Sequence, residues 1–188
     1  TWKLTGGLTF QDTDIDGTVT TFPPPFFAPT QTPLQNHLTG TGGYLQSQWS
    51  PVERASLINS VRFDHYSDYR DAVTWRQGLS FRLPVTETLL HGSVSRSFAP
   101  PSAQDLYFPG ANNPNLRAEV ALSWEAGVEQ DFLDKKLSAS ATWFQHNYDD
   151  FIELDGTFTP QNVPQATAEG VELGLKYAPC DVFTARLS

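Results

Sequence analysis

The chain has 188 residues, with 12 Lys and Arg against 21 Asp and Glu, and a formal charge of -9 lacks the basic field that tracks nucleic-acid phosphates. It has no methionine and opens in a strand-like run without a charged n-region, which reads as an internal or processed piece and not as a signal peptide. No run of about 18 apolar residues is present, which excludes a transmembrane helix but not membrane-crossing strands, and the single Cys180 excludes both an intramolecular disulfide framework and a multi-cysteine zinc site.

Alternation with a period of two recurs along nearly the whole length, while helical periodicity is scarce, so an all-β chain is expected. Strands are predicted at 2–10, 37–50, 55–66, 72–84, 88–98, 121–133, 137–154, 166–178 and 182–188.

The first strand leads into a long connection, 11–36, that opens QDTDIDGTVTTF. Asp12, Asp14, Asp16 and Gly17 follow the D-x-D-x-D-G opening of a calcium loop, in which alternate oxygens converge on a hard cation. The twelfth position is Pro23 instead of a closing acid, so a structural calcium competes with an acidic shoulder that keeps the loop soluble. Residues 17–52 contain no Asp, Glu, Lys or Arg, and their centre reads TTFPPPFFAPTQTP. Polyproline stiffness there displays Phe22, Phe26 and Phe27 with little entropy left to lose on binding, which suits a bulky organic ligand or an aromatic cap on a barrel mouth.

Further along, Val73, Trp75, Leu79, Phe81 and Leu83 share one face, and Thr74, Arg76, Gly78, Ser80 and Arg82 share the other. His91 and Ser93 lie on one face of the next strand with no evident orienting acid, so hydrolysis is not expected. The long connection 99–120 holds a second aromatic pair, Tyr107 and Phe108. After it, Leu122, Trp124, Ala126, Val128 and Phe132 oppose Ser123, Glu125, Gly127, Glu129 and Asp131. Asp149, Asp150, Glu153 and Asp155 form acid-rich strand tips to which no catalysis is assigned, and Val171, Leu173, Leu175 and Tyr177 continue the greasy face.

Every second connection is short: 51–54, 84–87, 134–136 and 179–181. The others, 11–36, the brief 67–71, 99–120 and 155–165, are mostly longer. In an antiparallel meander alternate connections share an end, so tight turns gather at one end and long loops at the other, as in outer-membrane barrels. Several predicted strands also exceed the ~5 to 6 residues usual in soluble sheets and reach the ~9 to 11 that cross a bilayer. A soluble, lectin-like β domain shows the same alternation inside out, and strand length and loop asymmetry argue against it.

Residues 94–129, VSRSFAPPSAQDLYFPGANNPNLRAEVALSWEAGVE, resemble a stretch of TonB-dependent outer-membrane receptors. The matching elements are Arg96, Ser97 and Phe98, then Pro101 and Ser102, Leu106 and Tyr107, Gly110, Asn113 to Leu116, Glu119, and Trp124, Glu125 and Gly127. Ala118 stands where a proline is usual, and Ala111 with Asn112 pads the Gly-to-Asn step. Two further stretches, 141–154 and 162–173, resemble the family's acidic-aromatic-Ile strand and its Glu-Gly-Val-Glu strand.

The resemblance implies an antiparallel up-and-down transmembrane β-barrel, of which this chain supplies about nine of 22 strands without plug or carboxy-terminal strands. Gly78, Gly127, Gly170, Gly174, Arg76, Arg82, Glu125, Glu129 and Glu172 would face the lumen, and Trp75, Trp124, Trp143, Tyr177 and Phe98 the lipid. It also implies a non-enzymatic receptor in the outer membrane of a Gram-negative bacterium, which takes up an iron-siderophore or cobalamin and is driven by TonB acting on the plug. The expected partners are outer-membrane lipid, TonB and a small nutrient held by Phe22, Phe26, Phe27, Tyr107 and Phe108, with no nucleic acid. Some cobalamin-transporting relatives hold calcium with loop aspartates, which lends weight to Asp12, Asp14 and Asp16. A non-energised binding or adhesion barrel is the alternative within the membrane class.

Overall fold

A computed structural model describes residues 1–21, 29–67, 71–108, 112–180 and 182–188. It contains β1 (Trp2–Thr21), β2 (Thr30–Trp49), β3 (Ala55–Tyr66), β4 (Ala72–Arg82) and β5 (Leu89–Ala99), then a short helix α1 (Ala103–Tyr107). β6 (Glu119–Phe132), β7 (Leu137–Leu154), β8 (Pro160–Cys180) and β9 (Phe183–Leu187) complete it. All nine strands form one antiparallel sheet in chain order. The side-chain period of two then fixes two faces across the whole sheet.

The register confirms the expected parity. Val61 pairs with Trp75, Val94 with Trp124 and Trp143 with Val171, which builds a predominantly apolar face. Leu8 (91%), Leu173 (67%) and Val171 (62%) are among the large apolar side chains left bare. Buried apolar residues are few among the described residues, and Leu106 and Leu116 belong to the connection between β5 and β6. A single-layer sheet with its greasy side outward needs an apolar solvent, as the wall of a membrane barrel has. Among the described residues no helix is long and apolar enough to cross a membrane.

Tight turns close the hairpins at one end. Between β6 and β7, Lys136 N donates to Leu133 O at 3.1 Å, and Asp134 and Lys135 take positive φ of 54° and 67°. Two left-handed central residues match the right-handed twist of the strands they join.

Three boundaries differ from expectation. The connection 11–36 is largely strand: β1 and β2 stay paired from Trp2 with Trp49 to Thr21 with Thr30. Thr-rich polar segments with few apolar residues hide an exposed hairpin from periodicity. At the same end of the sheet β8 starts at Pro160, not at 166. Pro164 has no N–H for the ladder, and opposite it Asp150 leaves the regular conformation with φ of 57°, while pairing resumes at Phe151 with Val163. The third difference is α1, a five-residue helix closed by a capping box in which Ser102 Oγ accepts from Asp105 N and Asp105 from Ser102 N; it is too short to show a helical period in the sequence.

Candidate functional site

The polar face carries ion pairs and rings set opposite small residues. On β3, Arg62 donates from Nε to Asp64 Oδ2 at 2.6 Å and from Nη2 to Thr9 Oγ1 at 2.9 Å. Asp64 is 6% exposed, and its cross-strand partner is Gly42. A Cβ on Gly42 would overlap both Asp64 and Arg62, so the missing side chain is the space the ion pair occupies. Tyr44 lies over Gly7 in the same way. Tyr44, Arg62 and Asp64, with Tyr66, Arg76 and Phe98, line a cleft of about 480 Å³.

Phe98 departs from its expected role. Its ring stacks on Tyr66 at 6.0 Å between centroids, beyond Trp75–Arg96, the last described rung joining β4 and β5. Freed of that neighbour, the ring joins the polar-face cleft and leaves the lipid girdle.

A second group crosses β4 to β6. Arg76 Nη2 lies 3.5 Å from Glu125 Oε2 and donates to Ser93 Oγ at 3.3 Å, while Ser93 donates to Glu125 at 3.0 Å. His91 packs over Gly127 and faces Glu129 at 3.9 Å. Ser93 and His91 are thus each engaged by a different carboxylate, with no nucleophile–base contact between them. Along β7, Phe144, His146, Tyr148 and Phe151 follow one another at 5.2, 6.4 and 5.4 Å.

At the long-loop end, the connection between β5 and β6 is tied to β7 and β8. Leu106 is 4% exposed. Asn113 N donates to Asp105 O at 2.8 Å and its Nδ2 to Pro160 O at 3.1 Å. Asn162 Nδ2 donates to Arg117 O at 2.9 Å and to Asp150 O at 2.7 Å, and its Oδ1 accepts Arg117 N at 2.8 Å. Arg117 pairs with Asp150 at 2.6 Å. Ser102, Leu106, Asn113 and Leu116, which help make 94–129 recognisable, are therefore braces. On this base Phe108 is partly exposed, at 37%, and Tyr107 is half-buried. In the neighbouring turn, the Thr157 hydroxyl and the Thr157 and Thr159 N–H groups hold the Asp155 carboxyl below the usual carboxylate range.

Asp12, Asp14 and Asp16 lie along extended β1, each on the outward-facing parity. Alternate residues of a strand stand about 6.6 Å apart, so the three do not curl around one point. Asp14 Oδ1 meets His37 Nδ1 at 2.6 Å, and Asp12 Oδ1 lies 3.3 Å from His37 Nε2. Among the described residues no group of three or more His, Cys, Asp or Glu is arranged to hold a metal. Phe22, Phe26 and Phe27 lie outside the described residues.

The family model described as TonB dependent receptor-like, beta-barrel matches residues 1–188. The chain belongs to the TonB-dependent receptor β-barrel family. It is 30% identical over 119 residues to the vitamin B12 transporter BtuB of Vibrio vulnificus, covering 61% of this chain and 19% of that protein. With BtuB of Photobacterium profundum it shares 24% over 184 residues, covering 94% of the chain and 28% of the relative. The chain thus spans less than a third of the length of these relatives. The siderophore receptor PirA from Pseudomonas aeruginosa superposes with a TM-score of 0.76 at 18% identity, over 96% of this chain and 34% of that one. These relatives are transporters and receptors, and this receptor wall is not an enzyme.

Proposed function

We propose that the intact receptor takes up a scarce nutrient, an iron-siderophore or cobalamin, across the outer membrane of a Gram-negative bacterium. The observation that carries this reading is the family match along the entire nine-stranded wall, whose apolar side faces outward and whose charged side faces the lumen. Phe108 supplies aromatic surface for the ligand at the long-loop end, and Phe22, Phe26 and Phe27, which fall between β1 and β2 in the sequence, are the further aromatic candidates for contact with it. TonB acts on a plug that these strands surround, and transport makes and breaks no covalent bond. The relatives named as vitamin B12 transporters favour cobalamin as the first cargo to test.

The test is uptake of radiolabelled cobalamin and of radioactive iron–siderophore complexes by cells with and without the receptor gene. Receptor-dependent accumulation of one of them, abolished by a protonophore or by loss of TonB, is the expected result. Receptor-dependent binding that ignores both treatments would instead identify a non-energised binding barrel.

A further inference from the structure

The β7–β8 hairpin carries aromatic rings from its tip down the lumen side of the wall. At the tip, Phe158 is 74% exposed and takes a φ of 61°. A bulky residue holds the left-handed conformation only where its surroundings impose it. Here they do. Asp155 N donates to Thr159 O at 2.9 Å and Phe158 N to Asp155 O at 3.0 Å, while the Asp155 carboxylate accepts from Thr157 N and Thr159 N at 2.8 and 2.9 Å. The turn presents a bare phenyl ring on a backbone with little freedom left to lose.

Below it, Phe151 and Tyr148 meet edge to face with ring centroids 5.4 Å apart. Three residues apart on a regular strand, two side chains point to opposite faces. Asp150 between them, with φ of 57°, breaks the period and brings both rings to one side, and Arg117 and Asn162 pin that residue from the brace. His146 continues the row 6.4 Å from Tyr148. The cross-strand neighbours of Tyr148 are Ala121 and Ala166, and those of His146 are Ser123 and Ala168. None of these is charged and all are small, so the rings stand clear of their flanks and recognition falls to the ring faces. Among the described residues, the Tyr148 hydroxyl and the two His146 ring nitrogens make no hydrogen bond. Ring faces with unused polar handles beside them suit a flat conjugated partner, because rings attract one another at centroid spacings of about 4.5–7 Å and an aliphatic occupant would use neither feature.

We propose that the β7–β8 hairpin is the wall that receives the flat conjugated ring system of the nutrient, with Phe158 stacking on it at the mouth and Phe151, Tyr148 and His146 holding it further in. The inference deepens the uptake reading and rests on it. Cobalamin and iron–catecholate complexes both carry such rings, whereas an iron–hydroxamate complex built on aliphatic chains does not.

The test is equilibrium binding to the purified intact receptor, with cobalamin, an iron–catecholate complex and a ring-free iron–hydroxamate complex as probes. The wild type is expected to bind one of the first two, and which one it binds tells corrin from catechol. Phe158→Leu, and separately the double variant Phe151→Leu, Tyr148→Leu, should each weaken that binding roughly tenfold, the scale of an aromatic pair's contribution. Phe158→Tyr and Tyr148→Phe keep the rings and should retain most of the affinity. Heat-modifiable gel mobility checks that each variant still folds. Leu variants that bind like the wild type would overturn the proposal, and a lowered unfolding midpoint in them would assign the row to packing against a plug; receptor-dependent uptake would survive either result. A wild type that binds only the hydroxamate complex would also overturn it and leave uptake standing. A wild type that binds no probe and accumulates none in cells would remove both readings.

Discussion

The upper β1–β2 hairpin and the brace between β5 and β6 occupy the same end of the sheet and are built in opposite ways. Above Thr39, which is tied to Ser67 by hydrogen bonds in both directions, the hairpin rises for ten rungs, from Asp12 with Thr39 to Thr21 with Thr30. That is roughly 33 Å of two-stranded ribbon. Its polarity is reversed relative to the sheet below: Asp12, Asp14, Asp16 and His37 stand on the side that Leu4, Leu8 and Phe10 occupy lower down, while half-buried Ile15, Val19, Leu34 and Leu38 take the lumen side. The brace instead folds back and commits its asparagines to neighbouring backbone. One region is a two-stranded ribbon with an apolar underside; the other is a braced shoulder that leaves Phe108 partly exposed.

The largest expected effect tests where the polarity reverses. Leu45→Arg, in the outward band, should impair folding into bilayers by about 2–4 kcal/mol, the range for arginine near mid-membrane, whereas Asp16→Arg on the same face of the ribbon should change it little. Equal effects in urea titrations of the refolded receptor would erase the boundary. Next, Asn162→Ala removes three hydrogen bonds at the brace and should cost about 2–3 kcal/mol at about 1 kcal/mol each, with new proteolytic cleavage between 100 and 118. No new cleavage would mean that the Asn113 hydrogen bonds, the Arg117–Asp150 pair and packing at Leu106 and Leu116 hold the brace without Asn162.

A smaller effect is a pH dependence in the neighbouring turn. Because the folded Asp155 carboxyl titrates below its unfolded value, its contribution is fully present above the ordinary carboxylate range and disappears as pH falls through the depressed folded value. Amide exchange at Thr157 and Thr159 should accelerate there, and Asp155→Asn should remove that acid dependence; an unchanged profile in the variant would assign it elsewhere. Smallest of all in stability is excision of 12–39 with a two-residue Asn-Gly turn, expected to alter the unfolding midpoint little while abolishing ligand binding. A large loss of stability would show the ribbon to be structural after all.

The alternation of Val73 to Phe81 and of Leu122 to Phe132 made the two faces legible, because a half-buried strand must repeat every two residues. The spacing of short and long connections revealed the order of the hairpins, since alternate connections of a meander share an end. The ribbon was not legible, since a segment such as TDIDGTVTT lacks an apolar stripe wide enough to separate strand from loop. Nor could Phe98 be placed: its parity is set by β5, but its contact with Tyr66 depends on where β4 ends.

The close approaches on the polar side have a consequence for assembly. Sliding any strand by two residues preserves the hydrophobic pattern, so the lipid side cannot detect the error. The lumen side can: such a slip would drive Tyr44 from Gly7 onto Thr5 or Thr9, His91 from Gly127 onto Glu125 or Glu129, and Phe144 from Gly170 onto Ala168 or Glu172. Each glycine thus works as a keyway that admits one large side chain in one alignment, and the interior of the wall proofreads a count that its exterior leaves degenerate.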